Sequence, residues 1–129
     1  LGLHEAIQWQ GREFEKRTGI NFISEVCFEN IELDIERSTA IFRIFQETLT
    51  NILRHAKAKN INVLMHEKDA MVTVQIKDDG IGITSDQISD NKSLGLLGMR
   101  ERARAWKGDV SIQGTHDQGT TVTINIQRN

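Results

Sequence analysis

The sequence predicts an α+β domain in which a mixed or mostly antiparallel sheet of five strands carries its helices on one face. Three observations carry this reading. The 129 residues suit one domain. Apolar periodicity switches between helical spacing and strict alternation along the chain. The strands arrive as sequential hairpins with few crossovers, in the order α β α β β, loop, α β β.

Taken in order, Leu3 to Arg17 reads as a helix with Leu3, Ile7 and Phe14 as its apolar points, ending at Thr18-Gly19. Ile20 to Phe28 is a strand. Ser38 or Thr39 is the expected cap of a long helix running to Ala56. In it Ile41, Ile44, Phe45, Leu49, Ile52, Leu53 and Ala56 recur at three- and four-residue spacing. Ile61 to His66 and Ala70 to Lys77 are two strands around a Glu67-Lys68-Asp69 turn. Residues 80–94 are read as loop, and Gly95 to Trp106 as a second core helix. Val110 to Gln113 and Thr121 to Gln127 close the chain as strands, with Gly114 to Gly119 as their turn.

Composition narrows the function classes. A formal net charge of -2 leaves no basic field for nucleic acid. The single cysteine, Cys27, cannot form an internal disulfide, which suits a reducing compartment. Between Val26 and Phe28 it reads as a small buried hydrophobe. No apolar run approaches the roughly 18 residues of a membrane span, and no signal peptide is visible. The chain opens without Met, at LGLHEAIQW, as if inside a helix. A piece of a longer protein is therefore expected.

Four stretches carry candidate chemistry. In VQIKDDGIGI, a strand alternates through Val72, Val74 and Ile76, then meets Asp78 and Asp79 where it should stop, followed by Gly80 and Gly82. Aspartate favours turns over strands. The glycines free the backbone for positive φ or close approach. A strand-end turn and a ligand site are both consistent with this stretch alone. In RIFQETLTNILRHA, Arg43, Glu47, Asn51 and His55 follow one another at four-residue steps on one helix face, and Arg54 returns close to Glu47. A solvated face with Arg43–Glu47 pairing accounts for the charges but not for a mid-helix Asn51. A carboxylate, an amide oxygen and a cation together can hold Mg²⁺ and phosphates. In SLGLLGMRERARAW, Gly95 and Gly98 lie where loop becomes helix, and the free N–H groups there attract phosphate. In GTTVTINI, a glycine and two threonines open a strand.

In this order, QETLTNILRHA, DDGIG, GLLGMRERA and GTTVTINI resemble the four nucleotide-binding boxes of the GHKL ATPases, the group of gyrase, Hsp90, MutL and histidine kinases. The fit is best to the catalytic domain of sensor histidine kinases of the NarL type. LGLHEAIQWQGREFEKRTGI is similar to the segment joining the second dimerisation helix to that domain, so residues 1–19 are expected to be the end of the linker region and 20–129 the ATP-binding domain.

The resemblance implies the Bergerat fold, a two-layer α/β sandwich. It implies ATP and Mg²⁺ as cofactors, and γ-phosphate donation to a histidine on a separate dimerisation domain, with a response regulator downstream. It implies a homodimeric parent, a monomeric fragment and a cytoplasmic location, with membrane attachment of the parent left open. Residue by residue, Asp78 matches the acceptor of the adenine amino group. Gly80 and Gly82 match the glycines that pass the nucleotide, Asn51 the Mg²⁺ ligand, and Glu47 the group that orients the reacting atoms. Arg54 matches a basic position near the phosphates, with His55 beside it. Residues 83–94 match a lid over ATP; Gly95, Leu96 and Gly98 match its end, and Thr120 the threonine near adenine. An anti-sigma serine kinase or a nucleotide-sensing module that transfers nothing are the alternatives.

Two departures stand out. Ser93 replaces the first glycine of the usual Gly-x-Gly-Leu, which bears on the lid, and the last strand ends Ile126-Gln127 without Leu-Pro. HEAIQ at His4 looks like a phosphoacceptor motif. However, fewer than twenty residues separate His4 from the first strand, too few for a second long helix, so His4 is read as an ordinary helix histidine.

Overall fold

A computed structural model of the chain describes residues 2–27, 32–90 and 94–129. Helix α1 (Leu3–Thr18) leads into strand β1 (Asn21–Val26), then helix α2 (Ile35–Asn51). A π-helical turn (Ile52–Ala56) continues α2 and is followed by β2 (Asn60–Lys68) and β3 (Met71–Asp78). A short helix α3 (Ser85–Ser89), helix α4 (Leu96–Arg104), β4 (Asp109–Thr115) and β5 (Gly119–Gln127) complete the order.

The five strands form one sheet ordered β1-β2-β3-β5-β4. β1 runs parallel to β2, and the other three pairings are antiparallel, so the sheet is mixed as expected. Alternation decides its faces. Ile61, Val63 and Met65 of β2 are buried, with Val72, Val74 and Ile76 of β3, Val110 and Ile112 of β4, and Val122, Ile124 and Ile126 of β5. The intervening residues, such as Thr73, Gln75, Thr123 and Asn125, lie on the other, half-open face. Ile41, Ile44, Phe45 and Leu49 of α2, Met99 and Ala103 of α4, and Leu3, Ile7 and Phe14 of α1 join the same core. The molecule is thus two layers, with α1, α2 and α4 on one face of the sheet.

α1 is fixed to the sheet's edge by contact and by a hydrogen bond. The ring of Phe22 packs where a Cβ on Gly11 would stand, only 2.0 Å away. The Phe22 N–H, on β1, donates to Glu15 Oε2 at 2.9 Å. Arg37 ties the start of α2 to the end of the sheet. Its Nε donates to the Gln127 carbonyl at 2.8 Å, and its guanidinium lies 4.8 Å from the centre of the Trp106 ring.

Several local expectations need correction. α2 is capped not by Ser38 or Thr39 but by Asp34, whose carboxylate accepts the Arg37 N–H at 2.8 Å. Aspartate at that position also meets the positive end of the helix dipole. The helix does not stay α-helical to Ala56, because its last turn widens to π geometry before Lys57 adopts left-handed φ at 51°. The β2–β3 turn is Asp69-Ala70, both left-handed at φ 53° and 63°. Paired positive φ values match a two-residue turn to the strand twist. Ala70 is therefore turn, not strand. The loop at 80–94 contains α3, closed by a capping box between Thr84 and Gln87. α4 ends at Arg104, short of Trp106, and the β4–β5 turn is confined to residues 116–118. Cys27 is exposed rather than buried. It shares the parity of Ile23 and Glu25 along β1, which points to the open face, while Phe22 alone on that strand is fully buried. Phe28 and Ser93 lie outside the described residues.

Candidate functional site

The site begins where β3 ends. Asp78 continues the buried parity of Val72, Val74 and Ile76, so its carboxyl enters the helix-side layer, 3% exposed and opposite Ile61 of β2. Its Oδ1 accepts the Gly80 N–H at 2.8 Å. Burial pushes the Asp78 carboxyl up from its ordinary value. The N–H groups of Gly80 and Thr120 pull against that shift, and the neighbouring Asp79 charge adds to it. No ion pair reaches Asp78 among the described residues.

Asp79 has the opposite surroundings. Its Oδ1 accepts the N–H groups of Lys59 and Asn60 at 2.8 and 2.9 Å, and its Oδ2 accepts Asn60 Nδ2 at 2.8 Å. The Asn60 side-chain hydrogen bond leads the causes that hold the Asp79 carboxyl below its ordinary value. Asp79 thus fixes the chain between the π-turn and β2 to the end of β3. The resemblance singled out Asp78, while the residues alone left Asp79 without a role. The legible signal was parity: in a strand that buries alternate residues, only one of two adjacent acids goes inside.

Glycines then line the turn. A Cβ on Gly80 would lie 2.0 Å from the Ala56 carbonyl oxygen, which the π-turn directs at this loop and which accepts the Ile81 N–H at 2.7 Å. Gly82 has φ +84°, with the Thr115 carbonyl 2.4 Å from its missing Cβ. Thr120 is 3% exposed, and its Oγ1 accepts the Ile83 N–H at 2.9 Å. Asp78, Gly80, Gly82, Ile83 and Thr120 are therefore joined into one cradle.

A second group forms on α2 and the start of α4. Asn51 is 5% exposed, and its Nδ2 donates to the Leu94 carbonyl at 2.9 Å. Glu47, half-buried one turn earlier, lies against Gly95, whose Cβ would stand 2.7 Å from Glu47 Oε1. Gly95 has φ +65° and leads into α4 without a side-chain cap. Leu96 is a core side chain, 1% exposed, so only its backbone can face a ligand. Gly98 meets nothing but the end of Arg102, 3.3 Å from its absent Cβ. The Ala56–Gly80 approach links this group to the Asp78 cradle.

Three expected residues of this helix face are not drawn in by any contact. Arg43 and Arg54 are exposed, and no Arg43–Glu47 ion pair forms among the described residues. His55 is half-buried, with Nε2 sealed from solvent and without a hydrogen-bond partner. Elsewhere, a groove of about 810 Å³ between α1 and the start of α2 is lined by Leu3, Ala6, Leu33 and Phe42 among others. It contains none of these acids or amides, so volume does not mark the chemistry here. No described group of three or more His, Cys, Asp or Glu side chains could hold a metal. No helix of the described residues is long and apolar enough to cross a membrane.

Comparison with known proteins identifies the family. The family model for histidine kinase-, DNA gyrase B-, and HSP90-like ATPases matches residues 36–129. Over 126 residues the chain is 31% identical to the oxygen sensor histidine kinase NreB of Staphylococcus carnosus (strain TM300). That match covers 98% of this chain and 36% of NreB, so the chain spans about a third of that relative's length. The histidine kinase domain of the Erythrobacter litoralis EL346 blue-light activated histidine kinase shares the fold at a TM-score of 0.83 and 20% identity, over 99% of this chain and 62% of that one. Histidine kinase ThkA, solved in complex with the response regulator protein TrrA, does so at 0.78 and 16%, over 98% of this chain and 40% of that one. The chain belongs to the histidine kinase-, DNA gyrase B-, and HSP90-like ATPase family, and within it to the catalytic-domain type found in histidine kinases.

Proposed function

We propose that this chain binds Mg²⁺-ATP and donates the γ-phosphate to a histidine on a separate dimerisation domain of its parent kinase, which then supplies a response regulator. The observation that carries the reading is the buried Asp78 carboxyl at a strand end. It is held by backbone N–H groups and has no cationic partner among the described residues. A buried acceptor of this kind is satisfied by a neutral donor such as the adenine 6-amino group.

The other residues take roles consistent with their places. The tight turn at Gly80 and Gly82 packs against the Ala56 and Thr115 carbonyls and so holds the Asp78 carboxyl at the strand end for a flat base to meet, and Thr120 closes the cradle beside it. Asn51 and Glu47 offer one amide oxygen and one carboxylate on successive turns of α2. That thin donor set fits Mg²⁺, which keeps waters and phosphates as most of its ligands. When bound, the ion supplies charge neutralisation across the phosphates. Glu47 orients the reacting groups. The uncapped start of α4 at Gly95, Leu96 and Gly98 offers N–H groups to phosphate oxygens. Arg54, exposed, serves the phosphate end, with His55 beside it in sequence. Residues 1–19 form the end of the linker from the dimerisation domain, packed here onto β1.

Titration with ATP and GTP tests the base assignment. Guanine presents a carbonyl where adenine presents an amino group, so two acceptors would meet at Asp78. Losing a hydrogen bond to a charged group costs about 1.5–3 kcal/mol, roughly ten- to a hundred-fold in affinity. Equal affinities would remove the assignment. Transfer of labelled phosphate to a helical hairpin carrying a histidine tests the reaction, and binding without transfer would leave a nucleotide-sensing module.

A further inference from the structure

Asn51 does something that a metal ligand need not do. It is the last residue of α2 and almost fully buried, and its Nδ2 reaches 43 positions along the sequence to the carbonyl of Leu94. Leu94 is itself buried, and directly precedes Gly95 and the first turn of α4. That turn has no side-chain cap. Its first intrahelical bond is Met99 N–H to the Gly95 carbonyl, at 3.1 Å. The N–H groups ahead of Met99 are those a helix start leaves without intrahelical partners. Glu47 packs on the same backbone from one turn earlier, within 2.7 Å of the absent Cβ of Gly95.

We infer that Asn51 is a positioning residue for the start of α4, aiming its free N–H groups at the polyphosphate, in addition to its proposed contact with the cation. This rests on the nucleotide reading above. The two duties use different atoms of one side chain. Nδ2 donates to Leu94, and Oδ1 is the atom that can accept a cation. Aspartate could serve the cation but has no donor for the Leu94 carbonyl, and alanine could serve neither. The inference accounts for an asparagine buried within a helix otherwise chosen for its apolar face.

Amide hydrogen exchange in the chain free of metal and nucleotide separates the two duties, because no cation is present. Parent, Asn51→Asp and Asn51→Ala would be compared over residues 99–104, the hydrogen-bonded amides that follow that helix start, with residues 72–76 of β3 reporting global opening. Both variants lose the donor, so both are expected to exchange about tenfold faster over 99–104 while β3 stays protected. Unchanged exchange over 99–104 in both variants would overturn the inference, as would a rise confined to Asn51→Ala, which would indicate lost packing rather than a lost hydrogen bond. If one variant fails to fold, the other still decides between faster and unchanged exchange. Failure of the nucleotide reading would instead show as a parent chain that binds no Mg²⁺-ATP.

Discussion

Replacing Gly98 by alanine is expected to stabilise the empty domain and weaken nucleotide binding at the same time. Nothing in the protein requires a glycine at that position. Its φ is not left-handed, it lies within the first turn of α4, and an added Cβ would meet only the flexible end of Arg102 at 3.3 Å. Alanine is favoured over glycine within helices by up to about 1 kcal/mol, and it also narrows the unfolded ensemble. For a first-turn position a gain of about 0.5–1 kcal/mol follows, which is roughly 2–5 °C in Tm for a domain of this size. If phosphate oxygens approach the N–H groups at the start of α4, the new methyl stands in their path. Loss of one charge-assisted hydrogen bond then lowers affinity by roughly ten- to a hundred-fold.

Gly80 gives the opposite result with the same chemical change. There the Cβ would stand 2.0 Å from the Ala56 carbonyl oxygen, which already accepts the Ile81 N–H. Overpacking of about 1–3 kcal/mol and a disturbed hydrogen bond of about 1 kcal/mol together lower Tm by about 10 °C. Thermal melts and titration calorimetry on the two variants are the assay. A Gly98→Ala protein that melts lower than the parent would refute the open space assigned to it. One that melts higher yet binds Mg²⁺-ATP like the parent would refute the assignment of Gly98 to the phosphates.

Asp78→Asn is expected to weaken ATP and ADP alike, with or without Mg²⁺. Asn51→Ala is expected to weaken metal-dependent binding most and to spare metal-free AMP, and calorimetry with and without chelator distinguishes them. The two acids also set opposite pH trends in thermal melts. The folded-state pKa of Asp79 is lowered, so its stabilisation is present above the unfolded value of about 3.9 and lost as pH falls through the folded value. That of Asp78 is raised, so its contribution is full below the unfolded value and lost as pH rises through the folded one. Asp79→Ala should therefore lower Tm at pH 7 and do so less below pH 3, whereas a constant loss would show that its carboxylate is not what is held. Incubation with labelled ATP should leave no acid-labile phosphate on this chain, and label that disappears in His4→Ala would place a phosphoacceptor within it.

Most of the fold was legible because one face of each element is apolar. Strand alternation in Val72, Val74 and Ile76 and helical spacing from Ile41 to Leu49 both appear in the core as read. What escaped depended on partners distant in sequence or on backbone detail. Nothing local announces that β5 inserts between β3 and β4, since that order follows from pairings such as Ile76 with Val122. The π-turn has no sequence signature, yet it directs the Ala56 carbonyl at Gly80. Two misses were avoidable. Asp34 is as good a cap as Ser38, with Glu36 in the first turn behind it, and Thr84 with Gln87 is a readable capping box. No apolar face accompanies that box, because α3 buries none of its residues. The motif glycines stand out in the sequence, but their duties are not separable there. Gly80 answers to a carbonyl of the protein itself, while Gly98 answers to nothing in the protein, and the distinction needs coordinates.

The pair Asp78-Asp79 shows how the site is carried by the strand that precedes it. β3 buries every second side chain, and an ordinary strand would place a fourth apolar residue at 78, in the same rank as Ile76 and facing the α2 layer. A carboxyl occupies that rank instead. Its burial is unfavourable, as the direction of its pKa shift records, and two backbone N–H groups offset only part of the cost. Asp79 falls on the opposite parity, at the surface, where three N–H donors from Lys59 and Asn60 hold it. Those bonds secure the end of β3 to the start of β2 at the point where an underpaired charge would otherwise loosen it. One acid is thus kept in an environment that favours an incoming donor, and its neighbour keeps that environment from opening. An apolar residue at 78 would relieve the strand and remove the acceptor, so the tension at this strand end and the proposed selection of a base share one cause.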